Sequence, residues 1–266
     1  MSQQNFGLER KTCLLRLFHK LRPWLPRQYP SIREEIISDN KAPSPMGYGE
    51  SKYLAELLLD YASKRLSIDA RIARVGQIAG PVKGQGIWNE WRVSQDKIDS
   101  VPIDLLAEVL VDLSVNAEVQ EAPTLIQPEE PGKARVFHPL NPHPVAWESL
   151  LPAIVNTLSH SNARTNKINT VPFQAWLQKV RADAEAVGSA DIEAMLKVNP
   201  AAKLLVFYEK LAEEGKNLEF ETSKTEEASS KMRVTGEIQP GWIERWVGAW
   251  LAVGKERAPE VPDEDL

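Results

Sequence analysis

Residues 48–75 constrain the fold most, because a helical pattern there runs directly into a strand pattern. Leu54, Leu57, Leu58 and Tyr61 recur at helical spacing within 48–66. Residues 69–75 then read as a strand, which Gly76 and Gly80 break. A second amphipathic helix is expected over 103–113, with Leu105, Leu106, Val109 and Leu110 on one side, followed by a short strand over 134–138. The order helix, strand, helix, strand points to an α/β layer.

The flanks read differently. Residues 1–45 hold Pro23, Pro26, Pro30, Pro43 and Pro45 and show no strand-like apolar run. They are expected to form a poorly ordered arm with one short helix around 11–21. Beyond residue 145 the chain reads as helical, with helices expected over 147–158, 172–186, 191–196, 201–213 and 241–253. In the last of these, Trp242, Trp246 and Trp250 lie at i, i+4 and i+8, one apolar face whose plain reading is core packing. That face is expected against Leu204, Leu205, Tyr208 and Leu211 of the 201–213 helix. Residues 216–238 are polar and read as a loop. Residues 256–266 carry five acids, one Arg and two prolines, and read as a disordered tail. The division expected is 1–45, an arm; 46–144, a partial nucleotide-binding portion; 145–253, a helical lobe; and 254–266, an acidic tail.

Charge and cysteine content exclude several classes. A net charge of −5 argues against a general nucleic-acid partner. The single cysteine, Cys13, excludes a disulfide framework and a cysteine-rich zinc site, and a reduced cytoplasmic compartment follows as the simplest expectation. No stretch approaches eighteen uncharged apolar residues, so no membrane partner is expected. The run 14–18 is broken by Arg16 and is too short and charged for a secretory signal.

Tyr48-Gly49-Glu50-Ser51-Lys52 is the sharpest local feature. On a helix, Tyr48 and Lys52 stand one turn apart on the same face. An ammonium at that spacing favours the phenolate, which tunes a phenol for proton donation to a carbonyl receiving hydride. The Lys can also hold a ribose hydroxyl. Other candidates are weaker. His138 and His143 flank a Pro-rich turn with no third ligand nearby, so a structural role is expected and no metal. Ser51 and Ser149 lie in no Gly-x-Ser-x-Gly elbow, which argues against a hydrolase. Asp104 fits the first turn of a helix. Cys13 has no partner pattern for nucleophilic catalysis.

The segment from Pro45-Met46-Gly47-Tyr48 through Lys52 to Glu56 resembles the catalytic segment of the extended short-chain dehydrogenase/reductases. More closely, it is similar to the terminal thioester reductase domains of fungal non-ribosomal peptide synthetase-like enzymes and carboxylic acid reductases. Five further blocks follow in order: Arg74-Val75-Gly76-Gln77-Ile78-Ala79-Gly80-Pro81; Gly86-Ile87-Trp88-Asn89-Glu90-Trp91; Val101-Pro102-Ile103-Asp104; Phe137-His138 through Asn141-Pro142-His143-Pro144 to Trp147; and Glu221 to Thr225 with the Trp242–Trp250 helix. The resemblance covers residues 31–253. It implies an incomplete Rossmann-like sheet with a helical C-terminal substrate lobe. It implies reduction of carrier-bound acyl thioesters with NADPH in secondary metabolism, and an acyl or peptidyl carrier protein as partner. Tyr48 would match the proton donor and Lys52 its partner, and both, with Gly76, Gln77 and Ile78, would match cofactor-binding positions.

The sequence also departs from that family. No Gly-x-x-Gly-x-x-Gly turn precedes Tyr48, and that turn is what lets backbone amides approach a pyrophosphate. Forty-seven residues precede Tyr48, where the family has well over a hundred, and nine separate Trp91 from Val101, where it has a few tens. Ser31 and Ser38 lie in the wrong setting for the family's upstream hydroxyl residue. The resemblance therefore implies an N-terminally truncated and internally shortened reductase, expected to be inactive alone and to self-associate through an exposed sheet edge. Two alternatives stay open: a non-catalytic module that docks a carrier protein or other partner, and an active reductase completed by another chain.

Overall fold

The computed structural model describes the backbone of residues 12–17, and residues 31–43, 47–66, 68–83, 97–115, 132–161, 170–187, 200–206, 208–209 and 219–257. Its centre is a three-stranded parallel sheet in which β2 (Asp69–Arg74) lies between β1 (Thr12–Leu17) and β6 (Arg135–Phe137). Two small sheets extend it. One is parallel, β3 (Ile78–Ala79) with β5 (Val101–Pro102); the other is antiparallel, β4 (Lys97–Ile98) with β7 (Val145–Ala146). Helices cover them: α1 (Gly47–Leu66), α2 (Ile103–Val115), α3 (Trp147–Ser161), α4 (Phe173–Val187), α5 (Ser223–Ala228), α6 (Ser230–Arg233) and α7 (Pro240–Arg257). The architecture is α/β and Rossmann-like, as expected, and helices 48–66, 103–113, 147–158, 172–186 and 241–253 and strands 69–75 and 134–138 fall where the sequence places them.

A central parallel strand is buried on both faces, and β2 meets that demand in an unusual way. Ala70 and Ile72 pack on the α1 side with Val136 and half-buried Leu59. Ala73 and Val75 pack on the α2 side with Leu106, Val109, Leu113 and Phe137. The strand also carries two buried arginines, three residues apart and therefore on opposite faces. Arg71 Nη1 donates to the carbonyls of Leu113 (2.5 Å) and Ser114 (2.7 Å) in the last turn of α2, where a cation suits the helix dipole. Its Nε and Nη2 donate to Asp69. Arg74 points the other way, to Glu56 of α1.

Three expectations are corrected, and the orientation of one helix is added. The 11–21 region supplies strand β1, not a helix, because Thr12 to Leu17 pair in register with Asp69 to Arg74. Its backbone amides find partners on a strand that is already buried.

Helix α1 forms as expected, and its buried face is one that the helical spacing left open. Its buried residues are Gly49, Tyr53, Glu56, Asp60 and Ser63, while Leu54, Leu58 and Tyr61 are exposed. The surface beneath it is polar. Arg74 waits for Glu56, the Ala134 amide donates to Asp60 Oδ1 (3.2 Å), and Ser63 Oγ donates to the Ile68 carbonyl (2.7 Å). Unpaired buried donors cost more than apolar contacts return, so the polar face goes in.

The polar stretch 216–238 contains α5 and α6 and buries Thr225, Ser229, Met232, Thr235 and Ile238. Ser229 Oγ caps α6 by accepting the Met232 amide and donates to Asp112 of α2 (2.8 Å), and Met232 is fully buried among Val109 and Phe137.

The tryptophan face of α7 packs on α3 rather than on the 201–213 helix. Ile243, Trp246 and Val247 share a cluster with Leu150, Ala153 and Ile154. Residues 200–204 form a 3-10 turn, Leu204 is exposed, and Tyr208 meets Trp176 of α4 edge-on at 5.0 Å. The expected 191–196 helix, Leu211 and residues 258–266 lie outside the described residues.

Among the described residues, one buried side-chain group is left without a hydrogen-bond partner. The Tyr53 hydroxyl makes no hydrogen bond, and burial, then the charges of Asp39 and Glu56, push its pKa up. An unsatisfied buried hydroxyl costs about 1–3 kcal/mol. Tyr53→Phe is therefore expected to raise the urea midpoint of unfolding; a clear fall would show that the hydroxyl has a partner in solution.

Candidate functional site

Two features place the exposed start of α1 at one end of the central sheet. α1 leads into β2 through residues 67–68, so the two run antiparallel. Ser63 meets Ile68 and, further on, Glu56 meets Arg74. Going from Glu56 back to Lys52 moves about 6 Å along the helix. Going from Arg74 on to Gly76 moves about 6.6 Å along an extended chain. Lys52 and Tyr48 therefore lie level with and just beyond Gly76, at the carboxyl end of β2, where open parallel sheets bind ligands.

Tyr48 is half exposed, and Lys52 Nζ lies 5.4 Å from its ring centroid. Ser51 Oγ donates to the Tyr48 carbonyl (2.8 Å), holding the first turn. The pair is thus together on one solvent-facing surface, as the sequence spacing predicts.

Gly76, Gln77 and Ile78 form the connection from β2 to β3. A Cβ on Gly76 would come within 2.2 Å of Leu140 Cδ2, so a side chain there would require Leu140 to move. The Gln77 carbonyl accepts from the Val101 amide (3.0 Å), and Ile78 opens β3. Among the described residues no hydrogen bond or ring contact joins this connection to Tyr48 or Lys52.

Beneath this surface lies a buried polar network in which His138 alone was among the sequence candidates. Arg74 donates to both carboxylate oxygens of Glu56, to the carbonyls of Arg33 (3.3 Å) and Glu35 (2.8 Å), and toward His138 Nε2 (3.0 Å). A guanidinium only donates, so Nε2 accepts. His138 therefore carries its proton on Nδ1, which donates to the Glu221 carbonyl (2.7 Å). Glu34 Oε1 accepts from the amides of His138 and Thr225 and from the Thr225 hydroxyl, and Oε2 accepts from the Lys224 amide. Burial pushes the Glu34 pKa up, against the opposing pull of the Thr225 hydroxyl and those three amides. The network ties residues 33–35, α1, β2, the end of β6 and the start of α5 into one unit. Glu56, Arg74 and Thr225 stood inside the quoted motifs without being singled out, and nothing in the local sequence marked Glu34.

The remaining candidates separate. His138 is fully buried and structural, whereas His143 is exposed, its amide bonded to Asn141 Oδ1. Among the described residues no three His, Cys, Asp or Glu side chains gather as a metal site. Ser149 Oγ donates to the Ala146 carbonyl, and Ser31 Oγ to Glu221 Oε1. The side chain of Cys13 lies outside the described residues.

No protein-family model matches the chain. It is similar to a carboxylic acid reductase of Neurospora crassa, 29% identical over 243 residues, covering 81% of this chain and 21% of that protein. Among solved structures it resembles the terminal R domain of the myxalamid PKS-NRPS biosynthetic pathway, with a TM-score of 0.63 and 19% identity over 94% of this chain and 60% of that one. It also resembles a thiolation-reductase di-domain from an archaeal non-ribosomal peptide synthetase, with a TM-score of 0.56 and 15% identity over 92% of this chain and 49% of that one. The chain thus shares the fold of these two structures, and it spans about a fifth of the curated relative's length.

Proposed function

We propose that this chain carries the Tyr–Lys half of an NADPH-dependent thioester reductase of secondary metabolism, acting in the cytoplasm on acyl groups held by a carrier protein. The observation that carries this reading is the Tyr48–Lys52 pair, exposed and level with side-chain-free Gly76 at the carboxyl end of the central strand. The reductase likeness of the relative and of the two structures supports it, and the thiolation-reductase di-domain supports the carrier partner.

The residues fit one end of the cofactor. Lys52 would hold the ribose next to the nicotinamide, and Gly76, Gln77 and Ile78 would border the ring. When bound, NADPH supplies hydride to a thioester carbonyl. Tyr48 donates its hydroxyl proton to the oxygen on which negative charge develops. The Lys52 ammonium, one turn away, stabilises the phenolate left behind. The pyrophosphate end finds no Gly-rich turn in these 266 residues. On this reading the chain by itself neither binds NADPH appreciably nor turns over. Micromolar saturable binding by calorimetry would overturn that statement. A second reading, in which the domain docks a carrier protein without catalysis, is supported by the same likeness to the thiolation-reductase di-domain. The division into a nucleotide-binding portion (46–144) and a helical lobe (145–253) belongs to the same proposal.

The test is complementation. The nucleotide-binding half of the Neurospora relative is supplied with this chain, and NADPH oxidation is followed with an acyl thioester. Tyr48→Phe is expected to lower the rate roughly 10²- to 10⁴-fold, and Lys52→Ala comparably. A near-parental rate in Tyr48→Phe removes the assignment, and no activity in the complemented protein favours the docking reading.

A further inference from the structure

The loop that follows β3 is gripped from two sides. Because β3 and β5 are parallel neighbours, the residues after them emerge side by side: Gly80–Lys83 from one and the start of α2 from the other. Asp104, second residue of α2, uses both carboxylate oxygens on this loop. Oδ1 accepts the Val82 amide (3.0 Å) and Oδ2 the Lys83 amide (2.9 Å), while Oδ1 also accepts the Leu105 amide (3.1 Å). From the far end of the sequence, α7 takes the carbonyls. Trp246 Nε1 donates to the Pro81 carbonyl (2.8 Å), and Arg245 Nη1 donates to the Val82 carbonyl. Gly80 completes the fit, since a Cβ there would lie 2.4 Å from Trp246 Cδ1.

Four backbone groups in three consecutive residues are thus held by side chains of two other elements. Loops ordinarily leave such groups to water. Here the loop's position is set by α2 and α7 rather than by its own turn chemistry. The same loop continues the Gly76–Ile78 connection, and α7 packs through Trp246 on α3 in the helical half.

We propose that Asp104, Arg245 and Trp246 are positioning residues that couple α7 to the loop beside Gly76–Ile78, so that a shift of α7 moves that loop. The clamp stands on the contacts above; its importance for cofactor placement rests on the function proposed in the preceding section.

The experiment is amide hydrogen exchange on the full chain, read at Val82 and Lys83 with Ile72 and Val136 as sheet references. Asp104→Asn keeps one neutral acceptor oxygen to cap α2 but puts an NH2 donor in place of the second acceptor. It is expected to speed exchange at Val82 and Lys83 about tenfold or more with the references unchanged. Arg245→Leu and Trp246→Phe, on the opposite side, are expected to speed the same two amides several-fold. In the parent, intrinsic-rate-corrected protection of these amides should also fall as pH drops. The Asp104 carboxyl, raised by burial but lowered more by the amides of Val82, Lys83, Leu105 and its own residue, titrates below the usual range. That pH profile should vanish in Asp104→Asn, and it needs no variant to be seen. Unchanged Val82 and Lys83 exchange in Asp104→Asn, or α7 variants that leave the loop untouched, would overturn the coupling. In the complemented reductase, Asp104→Asn should raise KM for NADPH with kcat within about twofold, whereas Tyr48→Phe should lower kcat. Exchange effects without any turnover would keep the clamp and remove the reductase reading.

Discussion

Arg74→Met is expected to cost about 3–5 kcal/mol of folding stability, because it leaves the Glu56 carboxylate buried without its cation. The loss extends beyond one ion pair. The carbonyls of Arg33 and Glu35 lose their donor, and His138 Nε2 loses the group that fixes its tautomer. Against a total stability of roughly 5–15 kcal/mol, such a change leaves the chain close to unfolding at ambient temperature. Arg74→Lys should rescue little, since an ammonium cannot reproduce the forked donation to both Glu56 oxygens. The double change Glu56→Leu with Arg74→Met should recover part of the loss by removing the stranded charge. Urea unfolding of the four proteins tests this, and a single Arg74→Met variant within about 1 kcal/mol of the parent would refute the account.

Trp246→Ala should cost a comparable amount, about 3–5 kcal/mol, through the cavity left by a fully buried indole. The indole touches more than the helical half. It closes the cluster of Leu150, Ala153 and Ile154, and it reaches across to Gly80 and Pro81. Gly80→Ala should therefore be poorly tolerated in the parent and much better tolerated in the Trp246→Ala background, where the added methyl enters the vacated space. A double-mutant cycle measures this directly. Additive effects would show that residues 80 and 246 do not meet in solution. Changes in residues 258–266, outside the described structure, are expected to leave stability unmoved.

How legible all this was in the sequence depended on what each pattern reports. Helical spacing in 48–66 reports a helix, and a helix formed. It does not report which face is covered, because that depends on the partner surface, and the partners here are Arg74, the Ala134 amide and the Ile68 carbonyl. The 11–21 region showed no strand-like apolar run and read as a short helix, yet residues 12–17 gain their hydrogen bonds from β2, fifty-odd residues later. The polar 216–238 stretch misled for the same reason: Thr225 and Ser229 are buried because Glu34 and Asp112 wait for them. The Tyr48–Lys52 pair, by contrast, was readable, because residues four apart on a helix meet whatever surrounds them. Glu34 was not, since its partners lie 104 to 191 residues away.

The two arginines of β2 carry one more consequence. Ala70, Ile72, Ala73 and Val75 are all small or aliphatic, so a slip of the strand by one position would still bury a similar apolar surface on each side. It would, however, turn Arg74 toward the aliphatic face of α2 and Arg71 toward α1, stranding Glu56 and the α2 carbonyls together. The alignment of this sheet is thus keyed by charge, with one cation for each face, and misaligned pairings during folding are rejected by the cost of burying a charge in the wrong place.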